Sequence, residues 1–552
     1  MSPSAEQLLA RPDTRLTSEL AATYAEEGGW RGVPLSDYLH GAAAATPEAT
    51  AVVGFGGEDG RDRVALTYAE LEALVDRLRG GLAGLGVGPG DVVSIMLPNG
   101  PEFAALIWAV LGLGAVYSGI PASYGEREAS FMVRRAKAKV LVVPWSYRDR
   151  GGYVELARAA QGASETLEHV VLVDGPETAG TVPYETLATA APAERTEVDA
   201  GALAHIGFTS GTTGEPKGVM NSHETLDAVL VRWFEHVGEE ALGPDAVNLV
   251  ASPVGHHTGF LWGVLWTTYR RGAAVFMDRW SPSRAAEIMR EEGVTVMFGA
   301  PTFLQDLVNT PAASAEATAT LRAVVVAGAP IPRTLPDEGR ARFGCFVCPA
   351  WGMTEYGIGV SAAPSLDQAR VAETDGHPVR GCEVRVLAED GTPAAPGEEG
   401  ELQMTGPGLF LGYFDRPDFT AEAFDGAWFK TGDRATLEAD GLLTLQGRSK
   451  DIVIRGGENI PVIEIESLLY AHPDVIDAAV VGLPDERLGE RACAILVTGG
   501  GAKPELAELC DYLLGEGLSR HFLPERLELM EALPKTASGK IRKNELRDLL
   551  SE

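Results

Sequence analysis

The sequence predicts an α/β fold: a large N-terminal domain of layered α/β sheets, then a small α+β C-terminal domain. Three observations predict it. Amphipathic helical stretches alternate with short β-branched runs up to about Gly376, as parallel strands joined by crossover helices require. Beyond Gly376, charged turns such as "EDG", "GEEG" and "EADG" separate short runs, which reads as antiparallel hairpins. From Arg448 a last stretch carries its own mixture of helix and strand. A chain of 552 residues also exceeds what one core organises, so several structural units are expected.

The elements follow in order. "LTYAELEALVDRLRGGLAGLG" has helical periodicity and ends at glycine, and "DVVSIMLP" after it reads as a strand. The apolar stretch Phe103–Ala122 is long enough to raise a transmembrane question. Gly, Ser and Pro break its second half, so it reads as a buried helix running into a buried strand. "AKVLVVPW", "EHVVLVDG", "AVNLVASP", "AAVFMDRW", "VTVMFGAP" and "LRAVVVAGAP" are further strands, most with helical stretches between them. Cys345 and Cys348 form a C-x-x-C, but inside the apolar run "RFGCFVCPAWG", which favours a buried strand over a zinc or redox site.

Composition excludes some partners. A formal charge of −32 repels nucleic acid and anionic membrane alike. Five cysteines, an odd number, and no basic start followed by an apolar run lead us to expect reduced thiols and a cytoplasmic location.

One loop asks for a ligand. "TSGTTGEPKG", Thr209 to Gly218, combines three glycines, four hydroxyls and a lysine. Converging backbone N–H groups make an anion-binding nest, and hydroxyls add donors for phosphate oxygens. The Walker pattern does not fit, because Gly218 rather than Ser or Thr follows Lys217.

"FTSGTTGEPKGV" instead resembles the phosphate loop of the adenylate-forming superfamily: acyl-CoA synthetases, luciferases and the adenylation domains of peptide synthetases. The resemblance continues, in the family's order, through "SPVGHHTGF", "VVAGAPIP", "WGMTEYG", "FKTGD", "GRSKDIVIRGGENI" and "PKTASGKI". It implies an N-terminal AMP-binding domain, 1–447, with a small antiparallel barrel-like part. It also implies a mobile C-terminal domain, 448–552, hinged near 449–450 at Lys450.

The resemblance implies a role for each matched residue. Thr209, Ser210, Gly211, Thr212, Thr213, Gly214 and Lys217 would cradle the β- and γ-phosphates of ATP. Thr354 would donate to the α-phosphate and Glu355 would hold Mg²⁺, a hard ion suited to carboxylate and phosphate oxygens; the plainer reading of Glu355 is an acid at a helix start. Gly328, Ala329 and Pro330 would flank adenine, with Trp351 stacked beneath it and Gly352 and Met353 alongside. The family more often has Tyr where Trp351 stands; the aromatic face is kept. Asp433 and Arg448 would bond the ribose hydroxyls. Lys540 would bridge the substrate carboxylate and the α-phosphate, stabilising charge where it builds. Gly456 and Gly457 would face the pantetheine channel of coenzyme A.

His256 matches a histidine that gates the acyl pocket, and Gly259 and Phe260 would line that pocket. No Asp lies between Ser252 and Gly263, which disfavours an amino-acid substrate. An aromatic, alicyclic or medium-chain acid is implied, with CoA as acceptor. Three alternatives stay open: loading of a carrier protein, use of nitrite for N–N bond formation, and a catalytically silent nucleotide-binding protein.

Overall fold

Two large sheets carry the N-terminal domain in the computed structural model. It describes the chain except residues 1–10, 57–61, 149, 210–215, 449–452, 456–457, 486–488, 519, 537–538 and 552. In the eight-stranded sheet Val92–Ile95, Val116–Gly119, Val140–Pro144 and His169–Val173 run parallel. Leu203–Phe208 lies parallel to Val116–Gly119, then pairs antiparallel with Gly218–Ser222. In the nine-stranded sheet Ala273–Phe276, Val247–Val250, Val296–Gly299, Ala323–Val326 and Phe346–Met353 are parallel neighbours. These strands are apolar without alternation because both faces are covered.

The Phe103–Ala122 stretch divides as its sequence implies. Pro101–Gly112 is a helix buried on every side except at Glu102, and Val116–Gly119 is a buried strand. Among the described residues no helix is long and apolar enough to cross a membrane. Cys348 lies in the strand Phe346–Met353 and Cys345 just before it; both thiols are free, and burial pushes them up to about 12.

The charged turns fall in a separate sheet that is antiparallel throughout. Glu383–Leu387, Glu399–Thr405, Trp428–Leu437 and Leu443–Arg448 form one antiparallel sheet. The smaller C-terminal domain has its own sheet around Val475–Asp485 and Gly489–Thr498, with an apolar core that includes Ile465, Leu469, Leu496 and Leu513. Its last helix, Lys543–Ser551, packs on Val475–Asp485.

One element has no counterpart in the sequence reading. Gly259–Trp266, "GFLWGVLW", is a π-helix. Such wide turns leave carbonyls to be satisfied from elsewhere. Here the Trp262 carbonyl accepts from Asn248 Nδ2 at 2.9 Å and from Thr267 Oγ1 at 3.2 Å. Gly259 is packed against main chain: a Cβ there would sit 2.3 Å from the Pro253 carbonyl oxygen.

Candidate active site

The hydroxyl-rich loop closes a hairpin. Its flanking strands pair up to Phe208 and Gly218, and the Thr209 N–H donates to the Lys217 carbonyl at 3.1 Å. Ser210, Gly211, Thr212, Thr213 and Gly214 lie outside the described residues, as do Lys450, Gly456 and Gly457. The Lys217 ammonium rests 4.7 Å from the Tyr413 ring centroid and 4.6 Å from that of Phe419. The Tyr413 hydroxyl in turn donates to Glu355 Oε1 at 2.9 Å. Glu355 is buried, in the tight turn that joins Phe346–Met353 to the antiparallel strand Gly357–Ser361. The helix-start reading of this acid is therefore corrected: strands lie on both sides, and Thr354 and Glu355 occupy the turn between them.

A cavity of about 650 Å³ gathers most of the other candidates. Thr209, Gly328, Ala329, Pro330, Trp351, Gly352, Asp433 and Lys540 all line it. Trp351 Nε1 donates to Asp433 Oδ2 at 2.9 Å, so the aromatic face and the carboxylate are held as one unit. Asp433 stands directly across the strand pair from Arg448, whose side chain lies outside the described residues. Met353, Thr354, Glu355 and Lys217 do not line the cavity, and neither do His256, Gly259 and Phe260.

Lys540 reaches the cavity from the far end of the chain. The Thr536 N–H donates to the Lys540 carbonyl at 2.7 Å, and the Lys540 N–H donates to Thr536 Oγ1 at 3.0 Å. Gly539, at φ +84°, lets this hairpin press backbone-first onto the N-terminal domain. A Cβ on Gly539 would lie 2.9 Å from Thr302 Oγ1 and 3.3 Å from Ala300 Cβ. Gly539→Val should therefore lower acid-dependent ATP–pyrophosphate exchange by about 100-fold, the cost of a small misplacement of a reacting group. Thioester formation from supplied acyl-adenylate, measured in parallel, should stay at the wild-type rate.

Two ion pairs anchor the hairpin and the helix after it. Lys543 Nζ lies 2.7 Å from Glu466 Oε1, which also accepts from the Val480 N–H at 2.7 Å. Lys535 Nζ lies 2.5 Å from Asp477 Oδ2. The sequence reading missed both. Glu466 did carry a signal, being an acid among Val462, Ile465 and Leu469 on the apolar face of its helix.

Histidines crowd the other side. His256 and His257 remain partly exposed, yet Nε2 of His256 and both ring nitrogens of His257 are sealed from solvent and have no hydrogen-bond partner. Burial, and then the nearby Lys540 charge, push His256 down to about 4; burial alone does the same to His257. Buried His223 is also pushed down to about 4. An unfolded chain protonates these imidazoles near the ordinary 6.5, so between pH 6.5 and 4 it binds more protons than the folded chain. Their contribution to stability is complete above pH 6.5 and is lost as pH falls toward 4. Thermal unfolding followed across this window should show a falling Tm, and the fall should be shallower in His257→Phe, which has no imidazole to protonate.

The family model "AMP-binding enzyme" matches residues 39–414, and "AMP-binding enzyme C-terminal domain" matches residues 464–540. Medium-chain fatty-acid–CoA ligase of Escherichia coli (strain K12) is 32% identical over 535 residues, covering 95% of this chain and 92% of its own. Feruloyl-CoA synthase of Amycolatopsis sp. is 34% identical over 525 residues, covering 92% and 96%. Among solved structures, ATP-bound MatB from Rhodopseudomonas palustris matches with a TM-score of 0.83 at 28% identity, covering 95% of this chain and 99% of that one.

Proposed function

We propose that this chain, which belongs to the AMP-binding enzyme family of adenylate-forming ligases, activates an aromatic, alicyclic or medium-chain carboxylic acid and transfers it to coenzyme A. One observation carries the reading: the C-terminal Lys540 lines the same cavity as the hydrogen-bonded pair Trp351–Asp433. The names of the relatives, a medium-chain fatty-acid–CoA ligase and a feruloyl-CoA synthase, support the same chemistry.

A carboxylate is a poor acyl donor because its leaving group would be oxide. Attack of its oxygen on the α-phosphorus of ATP forms the acyl–phosphate bond and expels pyrophosphate. Trp351 stacks the adenine against Gly328–Pro330, and Asp433, opposite Arg448, takes the ribose. The Lys540 ammonium lies between the incoming carboxylate and the α-phosphate, where negative charge accumulates in the transition state. Thr354 donates to the α-phosphate, while Thr209, its loop and Lys217 hold the leaving pyrophosphate.

The donor set around Glu355 fits Mg²⁺. The turn offers one buried carboxylate, and the described residues contain no group of three or more His, Cys, Asp or Glu side chains placed to hold a metal. An ion held by one carboxylate and phosphate oxygens is what Mg²⁺ chemistry favours. What bound Mg²⁺ supplies is charge neutralisation on the phosphates. For the second half-reaction, residues 448–552 turn about 449–450, withdraw Lys540 and bring Gly456 and Gly457 to the pantetheine arm, which reaches the acyl group past His256.

The test is a panel of carboxylic acids scored for pyrophosphate release, then for AMP release with CoA, with a phosphopantetheinylated carrier protein and with nitrite. Acid-dependent pyrophosphate and CoA-dependent thioester support the reading. Turnover only with carrier protein or only with nitrite replaces CoA as acceptor. No pyrophosphate with any acid overturns it.

A further inference from the structure

Beside the candidate site lies a cluster of rings around Phe260 in which His205, His257 and Tyr117 have no part in the reaction described above. His205, only 2% exposed, is stacked at 5.5 Å on Tyr117 and lies 5.4 Å from His257 and 4.6 Å from Phe260. Three of its polar atoms are orphans: Nδ1 of His205 and both ring nitrogens of His257. Buried histidines in a finished core hold partners. In this chain His236 pairs with the Ser361 carbonyl, and His223 accepts from the Leu35 N–H through Nδ1 while its Nε2 is also unpartnered. What sets the cluster apart is that orphaned nitrogens of two neighbouring rings, His205 and His257, lie together.

The cluster adjoins the reacting centre. Gly207 separates His205 from Thr354: a Cβ there would lie 2.5 Å from His205 Cε1 and 3.0 Å from Thr354 Cγ2. At its other end His256 stands edge-on, 6.0 Å from Tyr124, which lines the nucleotide cavity, and feels the charge of Lys540. An acid whose carboxylate met Lys540 and Thr354 would extend its body toward His205 and His257.

The chemistry of the cluster narrows what that body is. Burial is the leading influence on both rings, and among the described residues the charge that acts on His205 is that of His257. Burial keeps both imidazoles neutral, so each offers one donor and one acceptor. Neutral donor–acceptor groups suit a neutral hydroxyl or amine. A second carboxylate buried against two neutral imidazoles would lack a compensating charge from them. Tyr117 and Phe260, whose rings pack on His205 at 5.5 and 4.6 Å, make the surroundings aromatic, which favours a ring.

We infer that the acid is aromatic and carries a hydroxyl or amino substituent bonded by the orphaned nitrogens of His205 and His257. This rests on the acid-activating reading above. A site built to bond a substrate hydroxyl rejects the analogue lacking it, because its own buried groups are then left unpaired.

The experiment measures kcat/KM for pyrophosphate release with benzoic acid, the hydroxy- and aminobenzoic acids, phthalic acid, cyclohexanecarboxylic acid and hexanoic acid. At least one hydroxy- or aminobenzoate should exceed benzoate by about 10⁴-fold. That ratio should collapse to within a few-fold of unity in His205→Phe or His257→Phe; His257→Gln, which keeps a donor and an acceptor, should retain more of it. Benzoate, phthalate or the non-aromatic acids doing as well as the best substituted benzoate would overturn the inference and leave acid activation standing. A ratio that survives both Phe variants would also overturn it. Silence with every acid would remove the acid-activating reading, and this inference with it.

Discussion

Lys540→Ala abolishes most acid-dependent ATP–pyrophosphate exchange, by roughly 10²–10³-fold, the usual cost of removing one donor aimed at developing charge. The ammonium enters the cavity from a hairpin whose backbone touches the start of the helix Pro301–Asn309. The described residues that line this cavity include three further basic side chains, Arg333, Arg542 and Lys543, the last paired with Glu466 at 2.7 Å. Arg333 is committed to Asp375 at 3.0 Å, and Arg542 donates to Glu545 at 3.2 Å. Each of the three is thus paired with a carboxylate of its own. The variant should still convert supplied acyl-adenylate to thioester, because that step needs the lysine withdrawn. Exchange retained near the wild-type rate would contradict the assignment.

Lys543→Met destabilises the C-terminal domain by about 3–5 kcal/mol, the range for breaking a buried ion pair from one side. The side chains of Lys543 and Glu466 are 14% and 4% exposed, so removing the cation leaves a carboxylate in an apolar helix face with only the Val480 N–H for company. Replacing both partners, Lys543→Met with Glu466→Leu, should recover much of the loss, since an apolar pair of similar volume often does as well as a buried salt bridge. Chemical denaturation of the three proteins, followed by circular dichroism, measures both effects. Exchange activity should fall with the single variant too, because the last helix and the Lys540 hairpin are adjacent in the chain. A single variant as stable as wild type would show the pair to be a surface feature.

Much of this was legible in the sequence where the signal is local. "VTVMFGAP" and "LRAVVVAGAP" became the adjacent parallel strands Val296–Gly299 and Ala323–Val326, because continuous β-branched runs suit a strand covered on both faces. Asp433 and Arg448, joined in the sequence reading by a shared ligand, stand opposite each other across one strand pair. The Trp351–Asp433 hydrogen bond was not foreseen, although both residues were named, because it depends on how two sheets meet. The π-helix at Gly259–Trp266 was invisible for another reason: a segment apolar on all sides has no periodicity to tell one helix type from another. The turn at Glu355 shows the same limit. "MTE" resembles a helix start, and only the pairing of Met353 with Gly357 makes it a hairpin. His205 looked like any strand residue; its neighbours Tyr117, His257 and Phe260 come from other parts of the chain.

The central claim is that the hydroxyl-rich hairpin, the Trp351–Asp433 pair and Lys540 serve one nucleotide. A crystal structure with a substrate acid and α,β-methylene-ATP, which holds the enzyme before bond formation, tests it most directly. Adenine between Trp351 and Gly328–Pro330, ribose on Asp433, and Lys540 Nζ within about 3 Å of an α-phosphate oxygen are the expected result. Nucleotide bound elsewhere, or bound there with Lys540 turned away from the α-phosphate, would contradict the account.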